Sequence, residues 1–397
     1  MNIRIPENVM TALMLLEQNG YSAYAVGGCV RDSLLGKAPY DWDICTSAAP
    51  GQTMECFADY RVIPTGVKHG TITVIVEKPL EITTFRIDGD YLDNRRPSEV
   101  SFTHNVADDL CRRDFTVNAM ALDKNGNLTD LYGGRDDLEK KLIRCVGNAN
   151  KRFDEDALRI MRALRFAATL GFEIESETAQ AIHEKKQLLC NIAAERIQKE
   201  FTKLLKADCK KILTEFADVI KVFLPDADIS AYNAKLIDSA PADPVLRLAL
   251  LLTNLNPDKG EDALRSLRFD NRTVRDVSLM LGAKELVISA ERPQIKRLIN
   301  RYGIHNLKTV LDFLLYSQKI SSDLHGTVLN TADDITQKGE CCTLSALAVN
   351  GSDISALGIF KQNQIGKILF DLLEKVMDGE AENRKKDLIN LAKKLNY

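Results

Sequence analysis

Histidine is scarce in this chain. There are five in 397 residues, at positions 69, 104, 183, 305 and 325, and no spacing among them would gather ligands around a metal ion. Nine cysteines are present, but no C-x-x-C pair occurs. The adjacent Cys341 and Cys342 suit neither a zinc site nor a secreted disulfide framework. Cys29, Cys45 and Cys56 stand among apolar residues and read as small core fillers. Long hydrophobic runs are missing as well. The longest, at residues 246–252, is interrupted by Arg247 and is too short to cross a bilayer. The N-terminal VMTALMLLEQNG has no basic lead and no small-residue cleavage site, so it predicts a first helix rather than a signal peptide. Excess charge is also lacking: 53 basic and 56 acidic side chains leave a formal net charge of -3. That excludes a globally basic nucleic-acid binder and confines any such surface to a local patch. A soluble, cytoplasmic protein is expected.

An apolar content of 45% can fill real cores, and the length allows two or three domains. The chain changes character near residue 150. Before it, SAYAVGG, DWDICTS, TITVIVE and EITTFRI carry strand signals, with period-two alternation in TITVIV. Helices are expected between them, at about residues 7–18, 29–36 and 51–58. After residue 150 the spacing is helical almost throughout, as in DALRIMRALRFAATL, ERIQKEFTKLLK and IGKILFDLLEKVMD. The fold expected is α+β: a small α/β head domain followed by a long helical remainder.

The stretch GGCVRDSLLGKAPYDWDIC, residues 27–45, holds the first chemistry. Residues i and i+2 of a strand share a face, so Asp41 and Asp43 should project together with Trp42 opposite. Two such carboxylates suit a hard divalent cation, Mg²⁺ above all, with phosphate oxygens completing its shell. An isolated D-x-D is more often a solvated strand end than a metal site; here its context points elsewhere. VGG ends a strand and CVRDSLLG begins a helix, so Gly28 lets backbone N–H groups approach a phosphate, and Arg31 could clamp that phosphate.

These residues resemble the signature of the class II tRNA nucleotidyltransferases, the CCA-adding enzymes, and of the related bacterial poly(A) polymerases. The resemblance continues through GVKHGTITV, EITTFR, DGDYLDNRRPSEVSF, RRDFTVNAMA, EDALRIMRALRFAATLGF and ERI, covering most of residues 20–200. Toward the end IGKILFDLLEKVMDGEAEN resembles the family's tail, although KQNQIG lacks a glycine expected before it. The resemblance implies a nucleotidyltransferase head with a mixed sheet at 1–148, a base-reading helical neck at 149–213, a helical body at 214–325 and a helical tail at 326–397. It implies CCA addition to tRNA from CTP and ATP, with Mg²⁺ at Asp41 and Asp43 and release of pyrophosphate. No H…HD constellation supports the phosphohydrolase domain fused to some relatives.

The remaining site residues can be read beside it. Asp156 and Arg159, at i and i+3, would be helix neighbours able to pair. An acceptor-only carboxylate beside a donor-only guanidinium matches the edges of cytosine and adenine and mismatches uracil and guanine. In the family this pair serves as a protein template. Arg162 and Arg165 continue the spacing but wind around the helix by about 60° per step. The resemblance implies that both lie in the nucleotide pocket; helix packing is the alternative for Arg165. Arg112 suits a triphosphate contact. Asp114 and Asn118 could meet ribose hydroxyls, or Asp114 could simply cap a helix. Glu81 is either a third carboxylate beside the aspartates or a solvated strand start. Lys185, Lys186, Lys199, Lys203, Lys206, Lys210 and Lys211 form one basic stretch, and NRKKDLINLAKKL another. Such lysines could hold RNA backbone. DGDYLDNRRPSEV resembles a mobile loop that CC-only relatives lack, which counts against CC-only addition. An A-adding enzyme, a poly(A) polymerase and a catalytically silent RNA-binding protein stay open as alternatives. No membrane or protein partner is indicated.

Overall fold

A computed structural model describes residues 3–89 and 100–395. The chain divides into two compact units, Met1–Ala234 with Ser266–Arg268, and Lys235–Arg265 with Phe269–Tyr397. The residues expected for head and neck lie in the first.

Helix α1 (Glu7–Gln18) opens that unit, and its apolar face buries Val9, Leu13 and Leu16. Strand β1 (Ala23–Val26) runs into Gly27, and helix α2 (Gly28–Leu34) follows. Strand β2 (Asp43–Thr46), helix α3 (Pro50–Cys56) and strands β3 (Arg61–Gly66), β4 (Thr71–Val76) and β5 (Lys78–Thr84) complete the expected strand region. A small antiparallel pair joins β6 (Arg86–Asp88) to β7 (Val100–Phe102). Most of the DGDYLDNRRPSEV stretch, residues 90–99, lies outside the described residues. Helix α4 (Val106–Cys111) precedes β8 (Met120–Leu122) and β9 (Leu128–Asp130). Seven strands form one mixed sheet in the order β3-β4-β5-β2-β1-β8-β9. In it β2 pairs parallel with β5 and antiparallel with β1.

The alternation in TITVIV does what its pattern predicts: Ile72, Val74 and Val76 point inward, while Thr71, Thr73 and Ile75 are half-buried. With Leu13, Leu16, Ile44, Phe57 and Ile82 they build the main core of the sheet. A second cluster, Val26, Cys45, Phe85, Leu110 and Ala121, lies under the strands that lead to the site.

Beyond β9 come α5 (Gly134–Glu139), the short β10 (Leu142–Ile143), α6 (Ala149–Glu155) and α7 (Leu158–Leu170). Two-residue β11 (Glu173–Ile174) pairs parallel with β10. It is followed by α8 (Ser176–Lys185) and α9 (Ala194–Leu204). The second unit is helical; its longest element, Arg292–Tyr316, is broken at Gly303 by a positive φ of 71°. Its last helices pack Ile368, Leu372, Leu373 and Leu388 into a cluster of their own. No helix among the described residues is long and apolar enough to cross a membrane.

Candidate active site

The site forms where three neighbouring strands meet. β1 ends at Val26, whose register partner is Asp43, the first residue of β2. Asp43 in turn stands opposite Glu81 of β5. The strand is shorter than its sequence suggests, since Asp41 precedes it by two residues. The alternation nevertheless survives: Asp41 and Asp43 are exposed, and Trp42 packs partly buried on the sheet core. Although Asp43 as a residue is solvent-exposed, protein packed around its carboxyl pushes its pKa up to about 6. Asp41 and Glu81 add like-charge repulsion, and Arg113 opposes them. Among the described residues no three carboxylate, histidine or cysteine side chains already stand together as a preformed metal cage. An Asp43 carboxyl whose proton is favoured by burial and by the neighbouring Asp41 and Glu81 nonetheless fits a divalent cation, which would replace that proton and neutralise the group.

The turn before α2 owes its shape to Gly27 rather than Gly28. Gly27 has φ of 82°, and a Cβ there would lie 3.1 Å from Nη1 of Arg113. At Gly28 a Cβ would make ordinary contact with Arg31, at 3.6 Å. Arg31 is buried and donates from Nη1 to Oδ1 of Asn118 at 2.7 Å and from Nε to Asp32 at 2.8 Å. The expected phosphate clamp is thus held in place by protein partners.

Asn118 continues a chain of bonds. Its Nδ2 donates to Oδ1 of Asp114 at 3.2 Å, and Oδ2 of Asp114 accepts from Nε of Arg162 at 2.7 Å. Burial alone would raise the Asp114 pKa, but Arg162, Arg159 and Asn118 hold it down at about 2. Arg112 and Arg113 share the fully buried Asp109, which accepts from Arg112 at 2.6 Å and from Arg113 at 3.0 Å.

The pairing of Asp156 with Arg159 is not the one that their spacing predicts. The helix breaks between α6 and α7, so Asp156 sits in extended backbone and its Oδ1 accepts from the N–H of Leu158. Its carboxylate pairs instead with Arg196 of the ERI segment at 3.0 Å. Arg159 donates to Glu155 at 2.7 Å and to the carbonyls of Arg152 and Arg112 at 3.2 and 2.8 Å. Arg165 pairs with the buried Glu200 of α9. Arg159, Arg162 and Arg165 therefore reach three different acids, as their winding around the helix requires.

A cavity of about 270 Å³ collects Arg112, Arg113, Asp114, Asp156, Leu158, Arg159, Arg162 and Arg196. Arg113 and Arg196 were not among the residues singled out by sequence. Arg113 could have been found in the RR doublet at the end of α4, where both arginines pair with Asp109. Arg196 lay in the ERI segment, but only the broken helix brings it to Asp156.

Of the seven lysines at 185–211, Lys185 pairs with Asp154, Lys186 with Asp218 and Lys211 with Glu173. Lys199, Lys203, Lys206 and Lys210 are exposed.

Three family models match this chain: "Poly A polymerase head domain" over residues 23–144, "Probable RNA and SrmB- binding site of polymerase A" over 171–213, and "tRNA nucleotidyltransferase domain 2 putative" over 245–392. The CCA-adding enzyme of Lactobacillus delbrueckii subsp. bulgaricus is 37% identical over 394 residues, which span 96% of this chain and 97% of that enzyme. The Bacillus stearothermophilus CCA-adding enzyme, solved in complex with CTP, is 31% identical, with a TM-score of 0.79 and 98% of each chain covered. The Thermotoga maritima CCA-adding enzyme complexed with tRNA shares the fold, with a TM-score of 0.67 at 20% identity, over 98% of this chain and 96% of that one. Head motifs, arginine-lined cavity and full-length similarity agree, and the chain belongs to the class II family of CCA-adding enzymes, the tRNA nucleotidyltransferases.

Proposed function

We propose that the protein rebuilds the 3′ terminus of tRNA, adding C, C and A from CTP and ATP at the site described above. The observation that carries this reading is the meeting of Asp41, Asp43 and Glu81 with Arg113, which also lines the arginine-rich cavity. In each addition the terminal 3′-oxygen of the tRNA forms a bond to the nucleotide's α-phosphorus, the bond to the β-phosphate oxygen breaks, and pyrophosphate leaves with its electron pair. Asp41 and Asp43, with Glu81 beside them, would hold Mg²⁺, which when bound supplies charge neutralisation and lowers the pKa of the attacking hydroxyl. Arg31, Arg112, Arg162 and Arg165 surround the triphosphate with fixed positive charge, and Gly28 leaves room for it beside α2. Asp114 is ionised at neutral pH and, with Asn118, offers acceptors and donors to ribose hydroxyls.

Asp156 and Arg159 read the base. Both already have partners, Arg196 and Glu155, so an incoming cytosine or adenine must exchange hydrogen bonds with them. A wrong base would break those pairs without replacing them, which makes discrimination steep. The tRNA lies on the exposed lysines of α9 and the residues after it, and on the helical body and tail, by contacts to backbone and shape. Nine free thiols fit a reducing compartment such as the cytoplasm.

The test offers the purified protein Mg²⁺, all four NTPs and three tRNA transcripts, ending before CCA, after C and after CC. Completion of all three to CCA, followed by a stop, is the expected result. Extension of the CC-ended transcript alone would mean an A-adding enzyme, a run of A residues a poly(A) polymerase, and no extension a binding protein.

A further inference from the structure

We propose that Phe166 is a positioning residue for the arginines of the nucleotide pocket, its ring forming one floor beneath Arg31, Arg162 and Arg165. The inference rests on reading that pocket as the nucleotide site. The three guanidinium carbons lie 5.2, 5.4 and 3.8 Å from the ring centroid. Arg31 comes from α2, while Arg162 and Arg165 come from α7, so the ring joins elements far apart in sequence.

Three guanidiniums crowded together repel one another. Phe166 adds the negative face of its ring, which attracts cations from a side that the carboxylates pairing with them do not occupy. The ring itself is 7% exposed, and its position is fixed from the side by the fully buried Phe115, at 5.8 Å and an interplanar angle of 80°. Beside the ring, each arginine also has a carboxylate: Asp32 for Arg31, which Asn118 holds as well, Asp114 for Arg162 and Glu200 for Arg165. Because Asp114 also holds Asn118, the bonds from Arg31 through Asn118 and Asp114 to Arg162 close over the ring. An arginine clamped between an aromatic face and an acceptor keeps one rotamer. Its free N–H groups then face an anion with little reorganisation left to pay on binding.

An aliphatic side chain at position 166 would fill space but supply no π face. The arginines would lose their common orientation, and both nucleotides would be affected alike, since phosphates are common to CTP and ATP. Base choice, which Asp156 and Arg159 carry, would stay.

The experiment compares the full-length wild type with Phe166→Leu, Phe166→Tyr and Arg162→Gln. It measures KM and kcat for CTP and ATP on the matching tRNA ends, and follows folding by thermal melting. Phe166→Leu should raise both KM values by the same factor, about tenfold, with a smaller change in kcat and unchanged rejection of UTP and GTP. Phe166→Tyr should restore KM. If Phe166→Leu leaves KM unchanged while Arg162→Gln raises it, the pocket stands and the role of the ring is refuted. If Phe166→Tyr is as damaged as Phe166→Leu, packing shape rather than the π face is responsible, and the proposal also fails. An Arg162→Gln variant with wild-type KM would remove the pocket reading itself, and the inference with it. Should Phe166→Leu not fold, Phe166→Met serves in its place under the same criteria.

Discussion

Asp43 at the start of β2 and Glu81 of β5 are direct partners in a parallel ladder, so two carboxylates from separate strands meet at one end of the sheet. Burial of the carboxyl, then repulsion from Asp41 and from Glu81, lifts the Asp43 pKa to about 6.

That relationship predicts a pH signature. The folded pKa of Asp43 is raised above its ordinary 3.8, so the folded state keeps a proton that the unfolded chain gives up. Ionising Asp43 therefore costs stability as pH rises from about 4 to 6, and the cost stays constant above that. In metal-free buffer Asp43→Asn should melt higher than wild type at pH 8 and equal to it below pH 4. The same variant should add no nucleotide yet still bind tRNA. Retained turnover would remove the metal-site assignment.

Asp114 carries the opposite sign. Arg162 and Asn118 hold its pKa at about 2, so its stabilising contribution is complete above pH 3.8 and fades as pH falls toward 2. Asp114→Asn should cost about 2 kcal/mol in urea unfolding at pH 7, and the difference from wild type should shrink on acidification. A difference independent of pH would mean that packing, not charge, is what the carboxylate supplies.

Arg159→Ala should blur nucleotide choice. Losing the guanidinium removes the donor half of the proposed base-reading pair and leaves Glu155 with Arg152 as its remaining arginine partner. The ratio of kcat/KM for CTP over UTP, and for ATP over GTP, should fall by roughly ten- to a hundredfold. An unchanged ratio would end the template role.

Neutralising Lys199, Lys203 and Lys206 together should weaken tRNA binding without touching the KM for ATP. Each lost phosphate contact should reduce the slope of log affinity against log salt by about 0.7 to 0.9. A filter-binding series across salt concentrations gives that slope, and a slope equal to wild type would move the RNA surface elsewhere.

Much of this architecture was legible in the sequence. The alternation of TITVIV and the carboxylates of DWD announced the sheet and the exposed acidic pair at the start of one strand, because strand periodicity is a local property. The helix expected to read the base was legible only in part. Its helical spacing was visible, but the break at Asp156 was not, since EDALR has no proline or glycine to mark it. The strands at residues 61–66, 120–122 and 128–130 also escaped notice, being short or flanked by residues with other preferences.

What the sequence determined by itself is the inventory: an α+β order, the family motifs, and a set of arginines and aspartates suited to nucleotides. Tertiary structure alone decided who meets whom. It gave Asp156 to Arg196 rather than Arg159, paired Arg113 with the buried Asp109, and brought Arg31 of α2 over the same ring as Arg165 of α7. The physical reason is range. Periodicity and capping act over a few residues along the chain, whereas ion pairs and ring contacts form between whichever side chains packing has brought within a few ångströms.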